Sequence, residues 1–143
     1  MIKSVPYGLH DLDDDDIEAV IEVLKRGPIT QGNTVTQFGE QLAKTVGSEF
    51  GIAVSSGTAA LHLSLAALDV GPTDEVITTP ITFCATANAV LYCGADIKLV
   101  DIDEKTLNID INKIEQKINK RTKAIIPVDF RGYPADLYQI SKI

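Results

Sequence analysis

The chain has 143 residues, which is the length of one ordinary domain or of part of a larger one. Hydrophobic residues make up 45% of the chain, enough to form a core, whereas the net charge of −7 argues against a surface that binds nucleic acid or anionic lipid. No apolar run reaches the length of a membrane span, and the N-terminus does not match a signal peptide.

The two cysteines, Cys84 and Cys93, match no metal-binding or redox spacing. We interpret them as free thiols in a reducing compartment and expect a cytoplasmic protein. We expect this protein to bind no nucleic acid, no membrane and no metal.

A helix is predicted after the run of four aspartates from Asp13 to Asp16, because the apolar residues that follow have helical spacing. These residues are Ile17, Val20, Ile21 and Leu24. Four consecutive aspartates could also belong to a metal site. We favour a cap, since acids at a helix N-terminus complement the helix dipole.

A second amphipathic helix is predicted after the loop 29–32, and Gly27-Pro28 ends the first one. Its apolar face is marked by Val35, Phe38 and Leu42, and it stops near Gly47.

From residue 51 onward, predicted strands alternate with predicted helices. The strands are 51–54, 75–78, 97–100 and 124–128, and the helices are 58–68, 83–92, 111–118 and a last one capped by Asp136. The helix over 58–68 is apolar nearly all round, as is typical of a helix buried against a sheet. The alternation predicts an α/β fold with a mostly parallel sheet and helices on both faces.

The stretch from Val54 to Leu61 (VSSGTAAL) joins the first of these strands to a helix. Such a turn leaves the first helical N–H groups unpaired, and together with the helix dipole they form an anion site, most often for phosphate. Gly57 allows the backbone to approach a ligand closely, and the hydroxyls of Ser56 and Thr58 can donate two further hydrogen bonds. The alternative is that Ser56 or Thr58 only caps the helix.

Three polar groups follow predicted strands and are expected at one edge of the sheet, where α/β folds bind ligands. They are residues 56–58, 79–83 and 129–132. The sequence contains neither the three spaced glycines of a dinucleotide site nor a lysine after a glycine-rich loop. We therefore expect the phosphate of a cofactor or a sugar rather than a nucleoside triphosphate.

Four segments together resemble the N-terminal part of the pyridoxal-phosphate-dependent nucleotide-sugar aminotransferases, the DegT/DnrJ/EryC1/StrS group. They are GPITQG at 27–32 with FGE at 38–40, SSGTAAL at 55–61, TTPITFCATANA at 78–89 and RTKAIIPV at 121–128. The third segment, with Asp129 where many members carry histidine, looks closest to the transaminases that make UDP-4-amino-4,6-dideoxy sugars for pseudaminic acid. The resemblance implies that residues 1–143 form the N-terminal portion of the fold-type I large domain.

The resemblance also implies a site for pyridoxal 5′-phosphate. In that site, Gly57, Thr58 and Ala59 hold the cofactor phosphate, and Phe83 stacks on the pyridine ring, for which a flat apolar face is suited. The alternative for Phe83 is an ordinary core aromatic residue.

On the substrate side, the resemblance places Tyr7, Thr30 and Gln31 near the sugar, often across a dimer interface. The alternative is that these are plain loop residues. Arg131 departs from the small or aromatic residue expected before Gly132, so it receives no role from the resemblance.

The implied reaction transfers an amino group from glutamate to a nucleotide-linked 4-keto-sugar, in a homodimer. The Schiff-base lysine and the acidic residue beside the pyridine nitrogen are expected beyond the point that corresponds to Ile143, so we expect 1–143 alone to be inactive. Two alternatives stay open. One is a relative that carries histidine instead of that lysine and dehydrates the sugar, and the other is a truncated, non-catalytic binding protein.

Overall fold

The computed structural model describes residues 8–143, which form an α/β structure of two compact units. The first unit ends at Ala53 and the second comprises Val54–Ile143. No helix among the described residues combines the length and the apolar character needed to cross a membrane.

The first unit contains two helices, and the first of them, α1 (Asp14–Arg26), begins with a reciprocal cap. The Asp16 amide donates to the Asp13 carboxylate at 3.0 Å, and the Asp13 amide donates to the Asp16 carboxylate at 3.3 Å. The predicted cap is therefore confirmed, with the difference that three of the four aspartates lie inside the first turn of the helix.

Helix α2 (Asn33–Val46) ends at Gly47, whose φ of 70° is the left-handed conformation that glycine adopts without strain. Gly39 on this helix lies against Gly51 so closely that the two backbones touch. A Cβ atom on Gly51 would be 2.2 Å from the Gly39 carbonyl oxygen, which no side chain tolerates.

The second unit is built on a parallel sheet of three strands in the order β2-β1-β3. The strands are β1 (Glu75–Thr78), β2 (Asp96–Leu99) and β3 (Thr122–Ile125). The helices are α3 (Gly57–Ala67), α4 (Cys84–Tyr92), α5 (Ile111–Ile114) with a 3-10 turn at Glu115–Lys117, and α6 (Leu137–Ile140), which follows a second 3-10 turn at Phe130–Gly132.

Alternate side chains of β1 point to opposite faces of the sheet, and each face has its own apolar core. Val76 packs with Leu65 of α3 and Val90 of α4. Its neighbour Ile77 packs with Ile114 of α5 on the other face. The predicted arrangement of helices on both faces of a parallel sheet is confirmed.

The strand predicted at 51–54 is wrong, because this stretch is irregular. A strand needs a neighbour to pair its backbone groups, and among the described residues the ladder contains only β1, β2 and β3. Strand β2 lies one residue before its predicted position, and β3 begins two residues and ends three residues earlier than predicted. The helix predicted over 111–118 is one α-helical turn followed by a 3-10 turn.

The helix predicted over 58–68 is apolar nearly all round, but it is buried on one side only. In α3 only Leu65 is buried, whereas Leu63 is 51% exposed. The helix packs mainly against α4 and contributes one side to the core, so its remaining apolar residues face outward.

The side chain of Asn108 joins two loops of this unit, and its replacement tests how much this contact stabilises the unit. It is 4% exposed; its carbonyl oxygen accepts from the Phe130 amide, and its amide group donates to the Tyr133 carbonyl, each at 2.9 Å. We expect Asn108→Ala to lower the free energy of unfolding by about 2–4 kcal/mol, because both backbone groups lose their partner. Urea unfolding measures this, with the exposed Asn112→Ala as control; equal losses for the two variants would contradict the assignment.

Candidate functional site

The start of α3 is fixed by Ser56, which adopts an extended backbone conformation just before the helix. Its hydroxyl oxygen accepts from the Ala59 amide at 3.1 Å, and its carbonyl oxygen accepts from the Ala60 amide at 3.0 Å. Ser56 is therefore the N-cap, and Thr58 is not. The cap hydroxyl satisfies the Ala59 amide, which a helix N-terminus otherwise leaves without a helical partner, and the Ala60 amide forms the first bond within the helix.

The amides of Gly57 and Thr58, the first two residues of the helix, have no acceptor among the residues that the structure describes. A Cβ atom built on Gly57 would meet no heavy atom within 4 Å. Two free N–H donors, the positive end of the helix dipole and open space beside the backbone form a cradle suited to a phosphate.

Phe83 is the N-cap residue of α4 and ends the loop that follows β1. Buried Thr79 anchors this loop with a hydroxyl that accepts from the Ile81 amide at 3.4 Å, and the hydroxyls of Thr82 and Thr86 lie 2.8 Å apart. The Phe83 ring itself is 76% exposed. Phe83 is therefore not part of an apolar core among the residues that the structure describes.

These two segments meet in one pocket of about 540 Å³. Gly57 and Thr58 contribute the start of α3 to it, and Phe83 contributes its ring; the remaining lining residues are Ala60, Leu61, Ser64 and Ala85. None of the lining side chains is charged. The attraction for an anion comes from the backbone amides and the helix dipole.

Ala59 does not line this pocket, and its amide is bound to Ser56. Ser64 and Leu61 do line it, although the sequence reasoning gave them no role. Leu61 follows Gly57 by four residues and Ser64 follows it by seven, so all three lie on one face of the helix. This spacing can be read from the sequence.

The third of the polar groups predicted from the sequence, residues 129–132, lies in the loop after β3. The carboxylate of Asp129 accepts from the Ala135 amide at 2.8 Å, which holds the loop closed. Arg131 has a φ of 58°, and its guanidinium lies over the Phe130 ring at 5.2 Å.

Two of the three predicted substrate residues lie in the first unit. Thr30 and Gln31 belong to the loop between α1 and α2 of the first unit, where both are exposed, and Gln31 has a φ of 55°. Tyr7 lies outside the residues that the structure describes.

A larger pocket, of about 700 Å³, contains none of the predicted site residues. Its walls include Asp103, Asp110 and Asp136, each of which binds the backbone of its own turn. Hydrogen bonds from Thr106 hold the pKa of the half-buried Asp103 carboxyl below its usual value. These carboxylates shape their own turns, so the smaller pocket, with its free amides, is the better candidate site.

Comparison with known proteins identifies the family of the chain. The family model "DegT/DnrJ/EryC1/StrS aminotransferase family" matches residues 10–143. The spore coat polysaccharide biosynthesis protein SpsC of Bacillus subtilis (strain 168) is 45% identical over 133 residues, which are 93% of this chain and 34% of SpsC.

Solved structures show the same fold. The PMP-form of Spr1654, a sugar aminotransferase by its description, from Streptococcus pneumoniae, has a TM-score of 0.91 at 32% identity, over 97% of this chain and 35% of that one. A PLP-form of the same protein is also similar. NtdA from Bacillus subtilis with bound cofactor PMP has a TM-score of 0.85 at 38% identity, over 92% of this chain and 31% of NtdA.

The chain thus spans about a third of the length of the relatives that it matches. The similarity confirms the predicted fold class, the α/β fold of the fold-type I PLP-dependent aminotransferases. Because the family model covers nearly all of the sequence, the chain belongs to the DegT/DnrJ/EryC1/StrS aminotransferase family.

Proposed function

We propose that residues 1–143 form the N-terminal part of the large domain of a PLP-dependent aminotransferase. The enzyme transfers the amino group of glutamate to a nucleotide-linked 4-keto-sugar. The observation that carries this proposal is the pocket in which the free amides of Gly57 and Thr58 and the exposed ring of Phe83 come together. A phosphate donor set beside a flat aromatic face suits a phosphorylated heteroaromatic cofactor.

In this proposal the phosphate binds the amides of Gly57 and Thr58 and the Thr58 hydroxyl. Ala59 belongs to the same helical turn, but its amide is held by Ser56, so it supports the phosphate through the helix dipole. Phe83 holds the plane of the pyridine ring and keeps water from that face. When bound, PLP supplies an electron sink for negative charge at the reacting substrate carbon.

We expect Phe83→Ala to raise the Kd of the complete protein for PLP about tenfold, since aromatic stacking contributes about 0.5–1.5 kcal/mol beyond the area that it buries. Phe83→Trp, which keeps a flat ring, should stay within a few-fold of the unchanged protein. Equilibrium dialysis against PLP measures both values. Tyr138→Ala removes a similarly exposed ring of the same unit and serves as control. An unchanged Kd in Phe83→Ala would remove Phe83 from the site.

On the substrate side, we propose that Tyr7, Thr30 and Gln31 contact the sugar in a cytoplasmic homodimer. The left-handed conformation of Gln31, which residues other than glycine adopt at a cost, supports a functional loop. The resemblance of segment 78–89 to enzymes of pseudaminic acid synthesis favours a UDP-linked 4-keto-sugar as substrate. SpsC, named for polysaccharide biosynthesis, supports a role of the amino sugar in a polysaccharide.

The reaction is tested by incubating the PLP-loaded complete protein with a UDP-linked 4-keto-sugar and glutamate. The proposal requires that an amino sugar and 2-oxoglutarate form in equal amounts. Sugar consumption without loss of glutamate would overturn it in favour of dehydration. A lack of any turnover by a protein that binds PLP would favour the non-catalytic alternative.

A further inference from the structure

We propose that Arg131, at the same edge of the sheet as this site, determines specificity by binding an oxyanion of the substrate. The oxyanion is either the diphosphate of the nucleotide-linked sugar or a carboxylate of the amino donor. This inference rests on the proposed function, because it assigns a substrate contact within the same enzyme.

The first observation is the place of Arg131 in the sheet. Strands β1 and β3 are parallel neighbours, so the loops that follow them leave from the same edge. The contact continues past the strands, because the Ile126 amide donates to the Ile77 carbonyl at 2.8 Å and the Thr78 hydroxyl donates to the Ile126 carbonyl at 2.9 Å. Phe83 ends the loop after β1, and Arg131 lies in the loop after β3, at the edge where such sheets bind ligands.

The second observation is that the charge of Arg131 is available. The chain contains three arginines. Arg26 pairs with Glu22, and Arg121 pairs with Asp96. The guanidinium of Arg131 has no carboxylate within 4.0 Å among the described residues and lies over the Phe130 ring. It keeps its donors for a ligand, and their planar fork matches carboxylate and phosphate oxygens.

Asp129 could in principle neutralise this arginine from two residues away. Its carboxylate instead accepts from the Ala135 amide and closes the loop. In a chain with a net charge of −7, an unpaired guanidinium at the ligand edge is a local site for an anion.

The third observation is that the loop is held in place on both sides of Arg131. The buried side chain of Asn108 binds the Phe130 amide before it and the Tyr133 carbonyl after it. Between these bonds, Arg131 has the left-handed φ of 58° that favours glycine. The surroundings thus impose a conformation that an arginine does not choose by itself, and such residues concentrate at functional sites.

The test uses the PLP-loaded complete protein and two probes, UDP for the diphosphate and glutamate for the donor carboxylate. Arg131→Gly removes the guanidinium and suits the left-handed backbone, so it should fold at least as well as the unchanged protein. Arg131→Lys keeps the positive charge but lacks the planar guanidinium group with its fork of N–H donors. Arg26→Ala, which removes an exposed arginine of α1, is the control.

We expect Arg131→Gly to raise the Kd of one of the two probes at least tenfold, measured by titration calorimetry, and Arg131→Lys to raise it less. An effect on UDP assigns the diphosphate, and an effect on glutamate assigns the donor. The Kd for PLP should not change in either variant. If PLP binds normally while both probes stay within twofold in Arg131→Gly, the inference is wrong and the proposed function stands. If the unchanged protein does not bind PLP, both are overturned.

Discussion

Replacing Gly57 by valine is expected to weaken PLP binding about 10- to 100-fold without lowering the stability of the cofactor-free protein. A Cβ atom at this position meets no heavy atom within 4 Å, so the folded chain has room for a side chain. In a helix the Cα–Cβ bond tilts toward the N-terminus, which directs the new side chain to the proposed phosphate position. The expected loss corresponds to one hydrogen bond to a charged group, about 1.5–3 kcal/mol.

The experiment separates binding from folding by measuring each by itself. Equilibrium dialysis gives the Kd for PLP, and thermal unfolding without cofactor gives the stability, since a bound ligand would itself raise the melting temperature. Gly71→Val is the matched control, because Gly71 lies in the same unit and a Cβ there also meets nothing within 4 Å. A Gly57→Val protein with an unchanged Kd would place the phosphate elsewhere.

Replacing Gly51 by alanine is expected to lower the free energy of unfolding of the first unit by about 2–3 kcal/mol, the upper part of the range for overpacking. The added Cβ would lie 2.2 Å from the Gly39 carbonyl oxygen and 3.3 Å from the Ala43 amide nitrogen. These are backbone atoms of α2, so no side-chain rotation relieves the clash, and the helix must move.

Hydrogen exchange of the α2 amides in the complete protein tests this expectation, since opening of the unit speeds their exchange. Gly8→Ala serves as control because a Cβ at Gly8 meets nothing within 4 Å. Gly39→Ala should have a similar effect, because its Cβ would be 2.4 Å from the Gly51 carbonyl oxygen. The double variant should lose less stability than the two single variants lose together, because one separation of the two segments relieves both clashes. Unchanged exchange in Gly51→Ala would refute the close contact.

Local sequence signals predicted most of the fold. The aspartates, the apolar periodicity and Gly47 located the first two helices, and β1 was predicted with the bounds that it has. The strand at 51–54 failed because pairing depends on a neighbour that local sequence does not specify. The approach of Gly51 to Gly39 also joins distant segments, and neither glycine shows it by itself.

The candidate site also combines features that local sequence predicted with features that it did not. The free amides at the start of α3 follow from a strand-to-helix turn motif, even though the strand is missing, because Ser56 alone fixes the helix start. The role of Phe83 came from the resemblance, and its exposure and its place in the pocket now support that role. The bonds of Asn108 that hold the Arg131 loop cross 22 and 25 residues, a distance that no local pattern reports.

The central claim is that the cofactor phosphate binds the two free amides at the start of α3. A crystal structure of the complete protein grown with PLP tests it most directly. We predict phosphate oxygens at about 2.7–3.2 Å from the backbone nitrogens of Gly57 and Thr58, with the pyridine ring stacked on Phe83. A structure with PLP bound elsewhere, and with both amides facing solvent, would contradict the account.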